Sequence, residues 1–242
     1  MAHEIETIVE AIEAPATSGL YREFRGLFEL PRLMFNLPWL ARLPRGHGQP
    51  VLVLPGYRAG DLTTVLLRKY LRFLGYRARG IGAKKSEKVP ELLVRVLRRL
   101  VSMHRASGQQ VQIVGWSLGG YLAREAARER PDLVSHVITL GTPVIGGPKY
   151  TVVVHGMRRR GVDVEAMEAE VALRNQVALT TRVTAIYSRM DAVVAWEACI
   201  DRDCENVEHV EVGTTHLGFG FSAQVYRIIA ERLARGAAKP AS

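Results

Sequence analysis

Val111-Gln112-Ile113-Val114-Gly115-Trp116-Ser117-Leu118-Gly119-Gly120 is the stretch on which the fold turns. Its apolar start predicts a buried strand, and the residues from about Leu118 to Arg130 predict a helix stopped by Pro131. The chain must therefore reverse sharply around Ser117. A serine at the apex of such a turn projects its Oγ clear of the sheet, and crowding demands nearly bare backbone two places before and after it. Gly115 and Gly119 occupy those places. The turn also sets Ser117 at a helix N-terminus, whose dipole favours developing negative charge. Ser117 is thus the candidate nucleophile; the alternative is a glycine-rich helix start that it merely caps.

Outward from this turn, strands and helices alternate. Val51–Leu54 is an apolar run between Pro50 and Pro55, and Tyr76–Ile81, Val111–Gly115, His136–Leu140, Val183–Tyr187 and Val207–Val212 read as further strands. Leu62, Val65, Leu66, Tyr70, Phe73 and Leu74 form a helical stripe ended by Gly75. Pro90 suits the first turn of a helix that turns Leu92, Leu93, Val96, Leu97 and Leu100 inward, and a last helix carries Val225, Ile228, Ile229 and Leu233. This order predicts an α/β protein with a mostly parallel sheet of about six strands and helices on both faces. Such sheets carry their sites beyond the carboxyl ends of the strands.

That rule selects among the polar residues. A serine hydroxyl is a weak nucleophile at neutral pH and needs a base. Of seven histidines, His216 follows the last strand and precedes the last helix, on the same sheet edge as Ser117. His3 and His47 precede the first strand, His104 lies on a helix, His136 and His209 fall in or at the start of strands, and His155 sits in an insert. The base in turn needs an acid to fix its tautomer. Asp191 follows the fifth strand at the same edge, while Asp201 and Asp203 are rivals in the more polar stretch DRDCEN. Donors for an oxyanion are expected from the backbone N–H of Leu118 and from that of Tyr57, in the Leu54-Pro55-Gly56-Tyr57 loop.

The order Ser117, Asp191, His216, together with VLVLPGY, LGY at 74–76, VGWSLGG, ITLGTP at 138–143 and THLGF at 215–219, resembles the bacterial α/β-hydrolase-fold esterases and lipases. The resemblance covers residues 51–235. It implies an α/β-hydrolase fold, ester hydrolysis through an acyl-enzyme on Ser117, and no cofactor; with no histidine pair near Cys199 and Cys204, no metal is expected either. Two departures stand out: Pro55-Gly56 replaces the His-Gly common in lipase oxyanion loops, and residues 1–45 lack two extra N-terminal strands. Acyltransferase or thioesterase chemistry on the same fold, and a non-catalytic lipid- or protein-binding module, are the alternatives.

The chain of 242 residues divides into an N-terminal helical arm, 1–45, and a hydrolase domain, 46–242, with a lid-like insert at 144–180. In the arm, Leu20, Phe24, Leu27 and Phe28 share one helical face, expected either to pack over the sheet or to face lipid, and Pro31 and Pro38 break the pattern beyond. The insert shows two short amphipathic helices, the first ending at Arg158-Arg159-Arg160. Its apolar side chains suit either a lid over an acyl chain or a packed crossover.

A net charge of +9 fits peripheral contact with an anionic membrane. The basic residues are spread and no nucleic-acid-binding motif accompanies them, so nucleic acid is not an expected partner; a small ester or lipid-like substrate is. Cys199 and Cys204 read as two reduced thiols, with a loop disulfide as the oxidising alternative. The acidic start MAHEIETIVEAIEAP is no signal peptide and no apolar run reaches the ~20 residues that span a bilayer. The expected location is the cytoplasm.

Overall fold

The computed structural model describes residues 12–82 and 88–237; residues 1–11, with His3 and most of the acidic start, lie outside them. Six strands form one parallel sheet: β1 (Pro50–Leu54), β2 (Arg77–Arg79), β3 (Val111–Trp116), β4 (Val134–Leu140), β5 (Arg182–Tyr187) and β6 (Val207–Glu211), in the order β2-β1-β3-β4-β5-β6. The helices are α1 (Glu29–Leu40), α2 (Val65–Phe73), α3 (Val89–Ser107), α4 (Leu118–Glu129), α5 (Val154–Arg159), α6 (Val164–Asn175) and α7 (Ala223–Ala237).

Alternation within each strand divides the core in two. Val51 and Val53 of β1 point to one face, where α1, α2 and α7 contribute Leu33, Leu40, Leu71 and Ile229. Leu52 and Leu54 point to the other, where α3 and α4 contribute Val96, Leu100, Leu122 and Ala126. Both faces are apolar because both are covered, as expected for a parallel sheet. Pro90 lies in the first turn of α3, and Gly108 ends that helix at φ 66°.

Register aligns the carboxyl ends. Leu54 pairs with Gly115, Trp116 with Leu140, Leu140 with Ile186, and Tyr187 with Glu211. The loops that follow these strands therefore emerge side by side.

Two expectations change. Before α2 the chain makes a 3₁₀ turn at Asp61–Thr64, so the helical stripe begins later than its sequence suggests. Leu62 is 83% exposed and Phe73 also faces solvent; Leu67, Tyr70 and Leu71 are the residues buried. The arm is the second case. Its 3₁₀ segment Thr17–Phe28 buries Glu23 and Gly26, whereas Leu20, Phe24, Leu27 and Phe28 are exposed. Nor do its prolines break α1: Pro31 falls in the first turn, where no donor is missed, and Pro38 near the end. Leu33 and Leu40 anchor α1 in the core.

The insert is tied to α4 by polar contacts. Arg174 on α6 pairs with Glu125 and Glu129, the Arg128 Nε donates to the Val177 carbonyl, and the Arg128 Nη2 donates to Asn175 Oδ1 at 2.8 Å. Its apolar residues Val154, Met157 and Val164 pack on one another. Among the described residues no helix is long and apolar enough to cross a membrane.

Candidate active site

At the end of β3 the backbone takes φ 54° and ψ −120° at Ser117, a conformation that L-residues rarely adopt. Such strain costs about 1–3 kcal/mol and persists only where the surroundings enforce it. Here they do. The Ser117 N–H donates to the Leu140 carbonyl at 2.8 Å, and Thr142 Oγ1 donates to the Ser117 carbonyl at 3.0 Å. A Cβ on Gly119 would lie 2.6 Å from the carbonyl oxygens of both Leu54 and Pro55, and one on Gly115 would lie 2.3 Å from that of Gly119. Only hydrogen fits at either place, as the sequence spacing predicts.

The loops that carry the candidate acid and base converge on the same edge. His216 Nδ1 lies 2.7 Å from Asp191 Oδ2, and both side chains are almost wholly buried. The other carboxylate oxygen, Oδ1, accepts the N–H groups of Val193 and Val194, each at 2.8 Å. Asp191 is thereby held from both sides, and an Nδ1–H directed at it leaves Nε2 with the free lone pair a base requires. Burial pulls the His216 pKa down, but the charge and hydrogen bond of Asp191, and the charge of Glu23, outweigh it and leave the pKa raised.

The elbow and this pair share walls. The Trp116 ring lies 6.0 Å from the His216 ring, and a Cβ on Gly141 would meet Asp191 Oδ2 and His216 Nδ1 at 2.9 and 3.1 Å. Gly141 is the residue after Leu140, which anchors Ser117. On the opposite side, a Cβ on Gly56 would stand 3.5 Å from Ser117 Cβ, so the Pro55–Tyr57 loop flanks the serine. Arg58, directly after Tyr57, has φ 53°; with Ser117 it is the only non-glycine residue of positive φ among those described. Both strained residues therefore border one site.

The rivals are engaged elsewhere. Asp201 pairs with the buried Arg124, and its N–H donates to His209 Nε2. His136 is buried within β4 against Thr184, and desolvation pushes its pKa down to about 3. His104 contacts the Gln109 carbonyl on the far edge. Cys199 and Cys204 are free thiols, and burial pushes the Cys199 pKa up. Among the described residues no group of three or more His, Cys, Asp or Glu side chains could hold a metal ion.

Three supports escaped the sequence reading. Thr142 clamps the elbow. Ser188 Oγ donates to the Thr214 carbonyl at 2.5 Å and so joins the acid loop to the base loop. Glu23 reaches both loops from the arm. A threonine in LGTP after a strand end was a usable signal for the first; nothing local marks the other two.

No protein-family model and no curated protein matches the chain. Solved structures do. One comes from the description of LipS and LipT, two metagenome-derived lipolytic enzymes; it aligns with TM-score 0.63 and 12% identity over 80% of this chain and 95% of its own. The mature lipase BlEst2 of Bacillus licheniformis aligns with TM-score 0.62 and 14% identity over 79% and 94%. Est1E from Butyrivibrio proteoclasticus gives TM-score 0.54 and 15% identity over 80% and 89%.

Proposed function

Since the chain has the α/β-hydrolase fold, we propose that it is a serine hydrolase of carboxylic esters, of the esterase or lipase kind. The observation that carries this reading is the buried Asp191–His216 pair beside the strained Ser117 elbow.

The chemistry follows from the roles. His216 Nε2 takes the Ser117 proton as Oγ attacks the ester carbonyl, and Asp191 stabilises the imidazolium that forms. The N–H groups of Leu118 and Tyr57 receive the oxyanion, each contributing about 2.7–4 kcal/mol to lowering the barrier. Collapse of the intermediate expels the alkoxide, which leaves as the alcohol with the proton from His216, and an acyl-Ser117 ester remains. Water, deprotonated by His216, then attacks the acyl carbon. The products are a carboxylic acid and the free serine.

Lipid-like esters suit the surroundings best. Tyr21, Phe24, Leu27, Phe28 and Phe35 of the arm are exposed, as are Met190 and Leu217 next to the acid and base. Arg22, Arg25, Arg32 and Arg42 stand exposed among them. Apolar rings set among guanidinium groups match an anionic lipid surface, where rings enter the headgroup boundary and cations meet phosphate.

The test is a p-nitrophenyl ester series, short to long acyl chains, with the wild type and Ser117→Ala. Turnover that disappears in the variant, with an optimum at longer chains, is the expected result. No turnover of any ester would remove the hydrolase reading in favour of an acyltransferase or a binding module, and fluorophosphonate labelling of Ser117 would then separate those two. Vesicles with and without anionic lipid, at low and high salt, test the surface.

A further inference from the structure

Glu23 is a carboxylate beside the arm's apolar stripe, and it is only 4% exposed. Burying a carboxylate costs several kcal/mol unless hydrogen bonds replace its water. The donors it has found come from two different loops. Oε1 accepts the Ala192 N–H at 2.9 Å, and Oε2 accepts the Leu217 N–H at 2.7 Å. Ala192 directly follows Asp191, and Leu217 directly follows His216. The arm backbone presses on the base loop as well: a Cβ on Gly26 would meet Thr215 Oγ1 at 2.5 Å and the Gly218 nitrogen at 2.7 Å.

We infer that Glu23 is a positioning residue for the Asp191–His216 pair, bridging the acid loop and the base loop through one carboxylate. The inference rests on the proposed roles of that pair. Two oxygens, each taking a charge-assisted N–H bond, set the spacing between the loops. Their separation decides whether Nδ1 meets Oδ2 at 2.7 Å. Glu23 touches neither nucleophile nor substrate; it acts through His216. It also acts through charge. The groups facing His216 are Asp191, the Trp116 and Phe219 rings, the Gly141 backbone and, at longer range, the Glu23 carboxylate, which favours the imidazolium.

Glu23→Gln and Glu23→Asp separate the two actions. Gln has the same shape and no charge, and its amide must turn an N–H towards a backbone N–H. Asp keeps the charge with a shorter reach. The first readout is the downfield proton resonance of His216 Nδ1–H, assigned with His216→Ala and followed across pH. It needs no substrate. The second is kcat and KM for a p-nitrophenyl ester, with thermal melts as the check on folding.

Expected is a lower midpoint for His216 in Glu23→Gln than in the wild type, return towards wild type in Glu23→Asp, and kcat reduced on the order of ten- to a hundredfold in Gln with KM changed less than about threefold. A Glu23→Gln protein that melts cooperatively, with unchanged midpoint and kcat within about twofold, would overturn the inference. A wild type that turns over no ester while the midpoint moves as expected supports the role of Glu23 and sinks the ester reading instead.

Discussion

The elbow around Ser117 and the arm across Glu23 are built on opposite plans. At the elbow, sequence spacing and final geometry coincide: glycines where only hydrogen fits, strain at the proposed nucleophile. In the arm they are reversed, with rings outward and a carboxylate inward. One rule covers both. A buried polar group stays where its partners are, whatever the local pattern of apolar residues. The elbow finds its partners within neighbouring strand ends, whereas Glu23 finds them far along the chain.

The largest effects test the elbow. Ser117→Ala should remove ester turnover by a factor on the order of 10⁴ or more while the fold persists, as a circular dichroism melt would show. Asp191→Asn should cost on the order of 10⁴ in kcat by favouring the wrong tautomer of His216. Asp201→Asn is its counterpart: kcat should stay within about threefold, yet stability should fall by about 3–5 kcal/mol in a denaturant titration, because Arg124 is left buried and unpaired. Activity lost at Asp201 and kept at Asp191 would reverse the assignment.

Next come matched glycines, one from each region. Gly119→Ala forces a Cβ onto two carbonyl oxygens, and Gly26→Ala forces one onto Thr215 and Gly218. Each should destabilise by about 1–3 kcal/mol or more. If Gly26→Ala proves neutral, the arm is not seated as tightly as the elbow and the comparison fails.

Dependence on pH sharpens the link between them. As the proposed base, His216 must be neutral, so the acid limb of kcat/KM should sit above the ordinary imidazole value of about 6.5. Linkage runs the other way. A raised folded pKa contributes stability that is fully present below the unfolded value and is lost as pH rises through the folded one. Activity should therefore rise over the window in which that contribution fades.

The smallest effects belong to the outward rings. Phe28→Ser and Phe35→Ser, at 69% and 87% exposure, should each change stability by no more than about 0.5 kcal/mol. Both should weaken sedimentation with anionic vesicles, and unaltered sedimentation would remove the lipid surface.

The central strands were legible because both faces of a parallel sheet are apolar there, which leaves runs such as Val51–Leu54 plainly marked, while the edge strands β2 and β6 were legible by their place in the strand–helix alternation. Asp191 and His216 were legible by position alone, each in a loop after a strand that ends on the Ser117 edge. What failed was phase. The 3₁₀ turn at Asp61–Thr64 advances the chain by a different angle per residue, so Leu62 left the stripe it matched by 3.6-residue spacing. In the arm two readings stayed open for a related reason. Ring spacing identifies a face but not which face is covered, and the covering here is decided by two N–H groups in distant loops.

The Glu23 bonds also order events in time. They join residues 169 and 194 positions apart, contacts that a chain emerging from the ribosome can make only after Ala192 and Leu217 have left it. Such closures are slow to form in any polypeptide. The segment around Glu23 must therefore wait for Leu217, and the seat of His216 is completed only when the whole sheet already stands beneath it. A nascent chain that stops short of His216 can hold the serine turn and still lack the proposed base, so competence waits for the loop after β6.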